Sequence, residues 1–195
     1  MKQLHRSSRI IVLAAAGFAL SAGLTACGSS SSSDTSLLTV ERSIQFGDLD
    51  RAVYRLDRIE AESRLSNAGR LQAQLLRAEI AIAADQPEDA VDLVEDALEF
   101  DELAAPAHEL RGKAYIRMGR FTEAARDLAL AERQYDELGD TIRARDLKAL
   151  ATGLDSYSNG DFAGARTAWG GIESERLRNQ IDLLSDSTLA SQRGR

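Results

Sequence analysis

One cysteine, two histidines, two prolines and five per cent aromatic residues exclude several kinds of chemistry from this chain of 195 residues. A lone thiol, Cys27, cannot close an intrachain disulfide, and Cys-based catalysis or metal binding lacks the residues it needs. Two histidines, His5 and His108, are too few for a His-rich zinc site or for a Ser/His/Asp arrangement drawing on several of them. There is no Gly-x-Gly-x-x-Gly, no Gly-x4-Gly-Lys-Ser/Thr, no Gly-x-Ser-x-Gly and no acidic metal loop, so nucleotide, hydrolase and calcium readings have no starting motif. No cofactor and no metal are expected; carboxylate-only catalysis survives the count. No stretch alternates apolar and polar residues with period two, so strands are not expected either. What is abundant is Ala, Leu, Arg, Glu and Asp, the composition of an all-α chain.

The first 26 residues stand apart. Lys2, Arg6 and Arg9 open the chain without an acid, an apolar run of about eleven residues follows over 10–20, and Ser21-Ala22-Gly23 are small. A run that short cannot span a bilayer, so 1–26 reads as a secretory signal. Its end, Leu24-Thr25-Ala26-Cys27, resembles the lipobox of bacterial lipoproteins. The resemblance implies that Cys27 becomes the lipidated first residue of the mature protein, with Leu24, Thr25 and Ala26 completing the recognition motif. Gly28, five serines at 29–33 and Asp34-Thr35-Ser36 then form a polar low-complexity segment, so 27–36 reads as a tether. A single acyl chain anchors only marginally, a shortfall that the lipoprotein family meets with a multiply acylated cysteine. Gly28 rather than aspartate follows the cysteine, which in Gram-negative relatives implies the periplasmic face of the outer membrane.

Removal of 1–26 leaves 169 residues, enough for one compact domain or a short repeat array. It leaves 21 Lys and Arg against 31 Asp and Glu, a formal charge of −10, which disfavours nucleic acid or anionic headgroups as the main partner and favours protein.

Within 37–172 one helix-turn-helix pattern recurs four times. Its clearest copy is Gly112, Tyr115, Gly119, Phe121, Ala124, Leu128 and Ala131. A shift of 34 residues lands on Ala78, Ala81, Asp85, Pro87, Ala90, Val94 and Ala97. Looser copies are Gly47, Leu49, Ala52, Leu56 and Ile59 towards the N-terminus, and Gly153, Gly160, Phe162, Ala165, Trp169 and Ile172 towards the C-terminus. Small residues at 78, 90, 112, 124 and 165 let paired helices approach closely. Gly47, Gly119 and Gly160 suit left-handed helix ends, and Asp85-Gln86-Pro87-Glu88 uses proline at a helix start in place of glycine. Tyr115, Phe121 and Trp169 repeat with the core pattern and are read as packing residues, and His108 as packed or hydrogen-bonded.

The spacing resembles the tetratricopeptide repeat. The resemblance implies an all-α, right-handed superhelical solenoid of helix pairs, with residues 173–195 as a capping helix, striped by Leu177, Ile181 and Leu184, and a tail. At 108 and 111, where the family usually has a large aromatic and a leucine, this chain has His108 and Arg111.

Family resemblance further implies that partners bind a concave face made by the first helix of each pair. Its exposed positions would be Gln72, Leu75, Glu79 and Ile82; Glu109, Lys113 and Arg117; and Leu147, Leu150, Leu154 and Tyr157. Lys113 and Arg117 would receive a carboxylate of an extended peptide, and the stripe from Leu147 to Tyr157 an amphipathic helix. Two plainer readings stand beside these: Glu109 with Lys113 as an ordinary i,i+4 surface pair, and the leucine stripe covered by the capping helix. The function expected is that of a membrane-anchored scaffold for another envelope protein, not an enzyme. The alternative is an envelope enzyme, or an activator of a cell-wall or outer-membrane assembly enzyme, working through a carboxylate pair. Glu173-Ser174 faintly echoes some lytic transglycosylases, without their glycine- and aromatic-rich continuation.

Overall fold

The computed structural model describes residues 32–62, 65–175, 177, 178 and 181. The signal, Cys27, the tail at 191–195 and most of the expected capping helix, Leu184 included, lie outside these residues. Among them there are eight α-helices and no strand: α1 (Ser32–Gln45), α2 (Leu49–Glu62), α3 (Asn67–Ala83), α4 (Pro87–Leu98), α5 (Asp101–Arg117), α6 (Phe121–Glu137), α7 (Thr141–Ser158) and α8 (Phe162–Trp169). α1 begins at Ser32, inside the segment read as a tether. The described residues after Ser174 are helical, and Leu177 and Ile181 are buried there.

Consecutive helices pack on one another, and the two kinds of helix bury their side chains differently. The second helices bury one narrow stripe each: Ala52, Leu56 and Ile59 on α2, Ala90, Val94 and Ala97 on α4, and Ala124, Leu128, Ala131 and Tyr135 on α6. That is the i, i+4, i+7 spacing of a helix packed on one side and wet on the other. The inner first helices bury apolar residues on two sides. α3 sends Ala73, Leu76 and Ile80 into a core shared with α1 and α2, and Leu75, Ala78, Ala81 and Ile82 into a core shared with α4 and α5. α5 in turn divides Ala107, Leu110 and Ala114 from Ala105 and Ile116, which join the C-terminal core. Each fully buried leucine of these cores, such as Leu56 or Leu128, contributes about 1.5–3 kcal/mol relative to its exposed state.

The turns inside the pairs follow one design. Gly47, Gly119 and Gly160 have φ of 72°, 72° and 81°, the left-handed region that glycine enters without steric cost. At each, the residue after the glycine donates its N–H five residues back, as Arg120 does to Tyr115 O at 2.8 Å, and the glycine N–H reaches three back, as Gly119 does to Ile116 O at 3.0 Å. This double closure satisfies carbonyls that the helix end would leave open. The turn after α3 departs from the expected substitution of proline for glycine. Asp85 itself takes the left-handed conformation with φ 63°, Gln86 N reaches Ala81 O at 2.9 Å, and Pro87 starts the next helix. The same hydrogen bonds form, but a residue with a Cβ bears the conformation.

The close approach assigned to Gly112 is real in atomic detail: a Cβ there would lie 2.8 Å from Leu128 Cγ. Gly153 plays the same part against the indole of Trp169, whose Nε1 donates to Leu150 O at 3.3 Å.

Candidate functional site

The positions expected to line an exposed face do not form one. Leu147, Leu150 and Leu154 are each 0% exposed, in one core with Leu128, Trp169, Ile172, Leu177 and Ile181. Tyr157 packs against that core from α7, its ring 5.1 Å from Phe121, 5.3 Å from Phe162 and 5.9 Å from Trp169. The stripe is therefore core, and the expectation that it receives a partner helix is corrected. The physical reason is that α8, Ile172, Leu177 and Ile181 pack over α7, so the leucine stripe is covered. Leu75 and Ile82, also expected to be exposed, are buried, while Gln72 and Glu79 are half-buried.

Asp146 holds that covering segment in place. Its carboxylate, on α7 and almost fully buried, accepts Glu173 N at 3.1 Å and Ser174 N at 2.8 Å. It caps the helical residues that follow from a distance in sequence, satisfying N–H groups a helix start leaves open. Outside it, Arg145 pairs with Glu173 at 3.0 Å. Glu173 and Ser174 are thus the points at which the cover is held to α7.

Glu109, expected on the surface, is buried at 4% exposure. Lys113 one turn along α5 contacts Oε1, and Arg143 from α7 donates Nε to Oε2 at 2.7 Å, with Nη2 at 2.5 Å. Burial alone would raise the Glu109 carboxyl, but the two cations outweigh it and hold the group down at about 2. It stays ionised near neutrality and has no proton to give. The guanidinium of Arg143 lies 4.3 Å from the centre of the Tyr135 ring, so α5, α6 and α7 meet at one charged node. The Tyr135 hydroxyl is buried with no well-formed hydrogen bond, and burial together with the Glu109 charge pushes its ionisation up. Lys113 is committed to this node. Arg117 is exposed and lies 3.5 Å from Asp85 of the preceding turn.

A second node joins α5 to α6. Asp127, also buried, accepts Arg111 Nε at 2.7 Å and Nη2 at 2.9 Å, and sits 3.1 Å from His108 Nδ1. Burial works against the charged form, yet Arg111 and His108 hold the Asp127 carboxyl below its ordinary value. His108 is hydrogen-bonded as expected, and the departures from the family pattern at 108 and 111 supply both partners of one buried acid.

Sequence reasoning missed Asp127, Asp146 and Arg143. A signal existed for the two acids: Asp127 lies three residues after Ala124 and four before Ala131, and Asp146 lies four before Leu150, both in phase with buried stripes. Arg143 carried none, because its partner Glu109 is 34 residues away. Among the described residues no group of three or more His, Cys, Asp or Glu side chains is placed to hold a metal ion, and no helix is long and apolar enough to cross a membrane. No family model, no curated protein and no solved structure matches this chain.

Proposed function

We propose that this chain is a lipid-anchored, tetratricopeptide-like protein of the bacterial envelope. Its helix pairs stack as a right-handed superhelix and serve as a scaffold for another envelope protein. The observation that carries this reading is the recurrence of one unit: four consecutive helix pairs, each turning through a single left-handed residue at Gly47, Asp85, Gly119 or Gly160. A unit that cannot bury its own apolar face gains stability by stacking on the next, and stacks of this kind work through surface rather than through chemistry. The lipobox-like Leu24-Thr25-Ala26-Cys27 supports the anchor, and the saturated pairing of Glu109 and Asp127 supports a framework role for the buried acids.

Growth of the host with an alkyne-tagged palmitate tests the anchor. The wild-type chain takes up the tag and Cys27→Ala does not; an untagged wild-type chain removes the anchor from the reading. Cross-linking in intact envelopes tests the scaffold, which predicts a protein adduct that survives purification.

A further inference from the structure

The first helix pair carries a cleft of about 330 Å³, at the lower end of the range of ligand pockets. Thr39, Arg42 and Ser43 of α1 and Phe46 just beyond its end line one side, Arg51 and Arg55 of α2 the other, with Asp48 at the turn; no residue of α3 or beyond contributes. Positions 39, 42 and 43 share one face of α1, and 51 and 55 one face of α2, and these faces bring the basic side chains to one cleft.

The charges in this cleft do not balance. Arg55 is half-buried and donates Nη1 to Thr39 O at 2.9 Å and to Ser43 Oγ at 2.9 Å, both neutral acceptors. Arg42 has no carboxylate within pairing distance among the described residues. The one acid present, Asp48, is taken by Arg51, through Nε at 3.2 Å and the backbone N–H at 3.2 Å. Among the described residues two positive charges remain over, in a chain where 31 acids outnumber 24 Lys and Arg. Elsewhere the buried charges are neutralised: Arg111 and Arg143 each meet a carboxylate. At the rim Phe46 is 81% exposed, an apolar ring beside guanidinium groups.

We propose that the α1–α2 cleft binds a side-chain carboxylate from a short acidic segment of a partner protein, gripped by Arg42 and Arg55, with a neighbouring apolar residue against Phe46. Guanidinium groups suit this ligand because their planar fork matches a carboxylate in two hydrogen bonds at once. An extended polyanion such as nucleic acid or an anionic bilayer would bring many charges against the acidic remainder of the chain, whereas a short segment brings one or two into a local positive field. The inference deepens the scaffold reading by naming a surface and a partner chemistry, and it does not depend on the anchor.

The test uses the full chain in an uncharged detergent and a fluorescein-tagged peptide with two glutamates flanking a leucine, alongside its glutamine twin. Anisotropy at low salt should show saturable binding of the glutamate peptide only, lost on addition of salt. Arg42→Gln together with Arg55→Gln should weaken it about tenfold or more, as expected for lost charge-assisted hydrogen bonds. Phe46→Ser should weaken it severalfold, and Arg133→Gln, a distant exposed site, should leave it unchanged. Absence of saturable binding overturns the proposal, as does binding indifferent to the arginine pair. Displacement by inorganic phosphate at the peptide's own concentration marks a small-anion site instead. Pelleting of the full chain with phosphatidylglycerol vesicles that depends on Arg42, without peptide binding, marks a lipid surface; either result also overturns it. A failed titration leaves the palmitate result on Cys27 untouched, so loss of this surface and loss of the anchor are separable.

Discussion

Glu109 is stabilised only as part of a set, and so its removal is more costly than its net worth. A buried acid flanked by two cations has traded water for Lys113 and Arg143; deletion of the acid leaves both cations with their desolvation and no compensation. Glu109→Ala should lower unfolding free energy by about 3–5 kcal/mol in a urea titration, the range for breaking a buried pair from one side. Replacement of Glu109 by Leu together with Lys113 and Arg143 by Met should recover much of that loss, because an apolar set of similar volume carries no unpaired charge. The same node sets a pH response. The folded carboxyls of Glu109 and Asp127 lie below their unfolded values, so their contribution is complete above the ordinary carboxylate range and is lost as pH falls, for Glu109 down to about 2. Melting temperatures should therefore drop between about pH 5 and pH 2, and Glu109→Gln should flatten that slope. An equally steep acid slope in the variant would remove Glu109 as its source.

At the scale of the element, the turns set where each pair reverses. Left-handed backbone costs a residue with a Cβ about 1–2 kcal/mol, and glycine escapes this. Gly119→Ala should therefore destabilise by about 1–2 kcal/mol although nothing lies within 4 Å of the added methyl. Asp85→Gly should act in the opposite direction, raising the melting midpoint by relieving the one such turn that lacks glycine; its exposed contact with Arg117 is worth little. No gain in Asp85→Gly would show that the side chain compensates locally. Packing within the pairs is equally specific: Ala124 is 0% exposed beneath α5, and Ala124→Trp should cost about 1–3 kcal/mol or more by overfilling a helix contact.

At the scale of the whole molecule, the C-terminal cover decides what α7 is. Leu147, Leu150 and Leu154 have no exposed surface, so Leu150→Glu with Leu154→Glu places two unpaired charges in a core and should lower stability by several kcal/mol. Truncation after Ile172 should produce a comparable loss, since it removes Leu177, Ile181 and the backbone groups that Asp146 holds. A double variant that melts like the wild type would contradict the burial described for α7. Asp146→Ala is the milder version: it keeps the cover's apolar contacts and removes its clasp, and it should raise hydrogen exchange after residue 173 before it affects α3 or α4.

Helix and turn were legible in the sequence, because they are set by residues within one or two turns of each other. The 3.6-residue recurrence of Ala and Leu and glycine at 47, 119 and 160 are local consequences of sterics and backbone geometry, whereas the small Gly112 signalled a close approach without naming Leu128 of the next helix as what it meets. The all-α class follows from the same local rules. Exposure was not legible in this way. A stripe such as Leu147, Leu150 and Leu154 has one pattern whether it faces a partner or a core, and the answer came from α8 and the residues beyond it, which pack over the stripe. Nor could Glu109 with Lys113 reveal its third member, since Arg143 reaches it only once α7 is packed on α6. What the chain determined by itself was each helix and its apolar side; the tertiary structure alone decided which sides are covered and which charges are paired, because burial and desolvation depend on what lies across the contact.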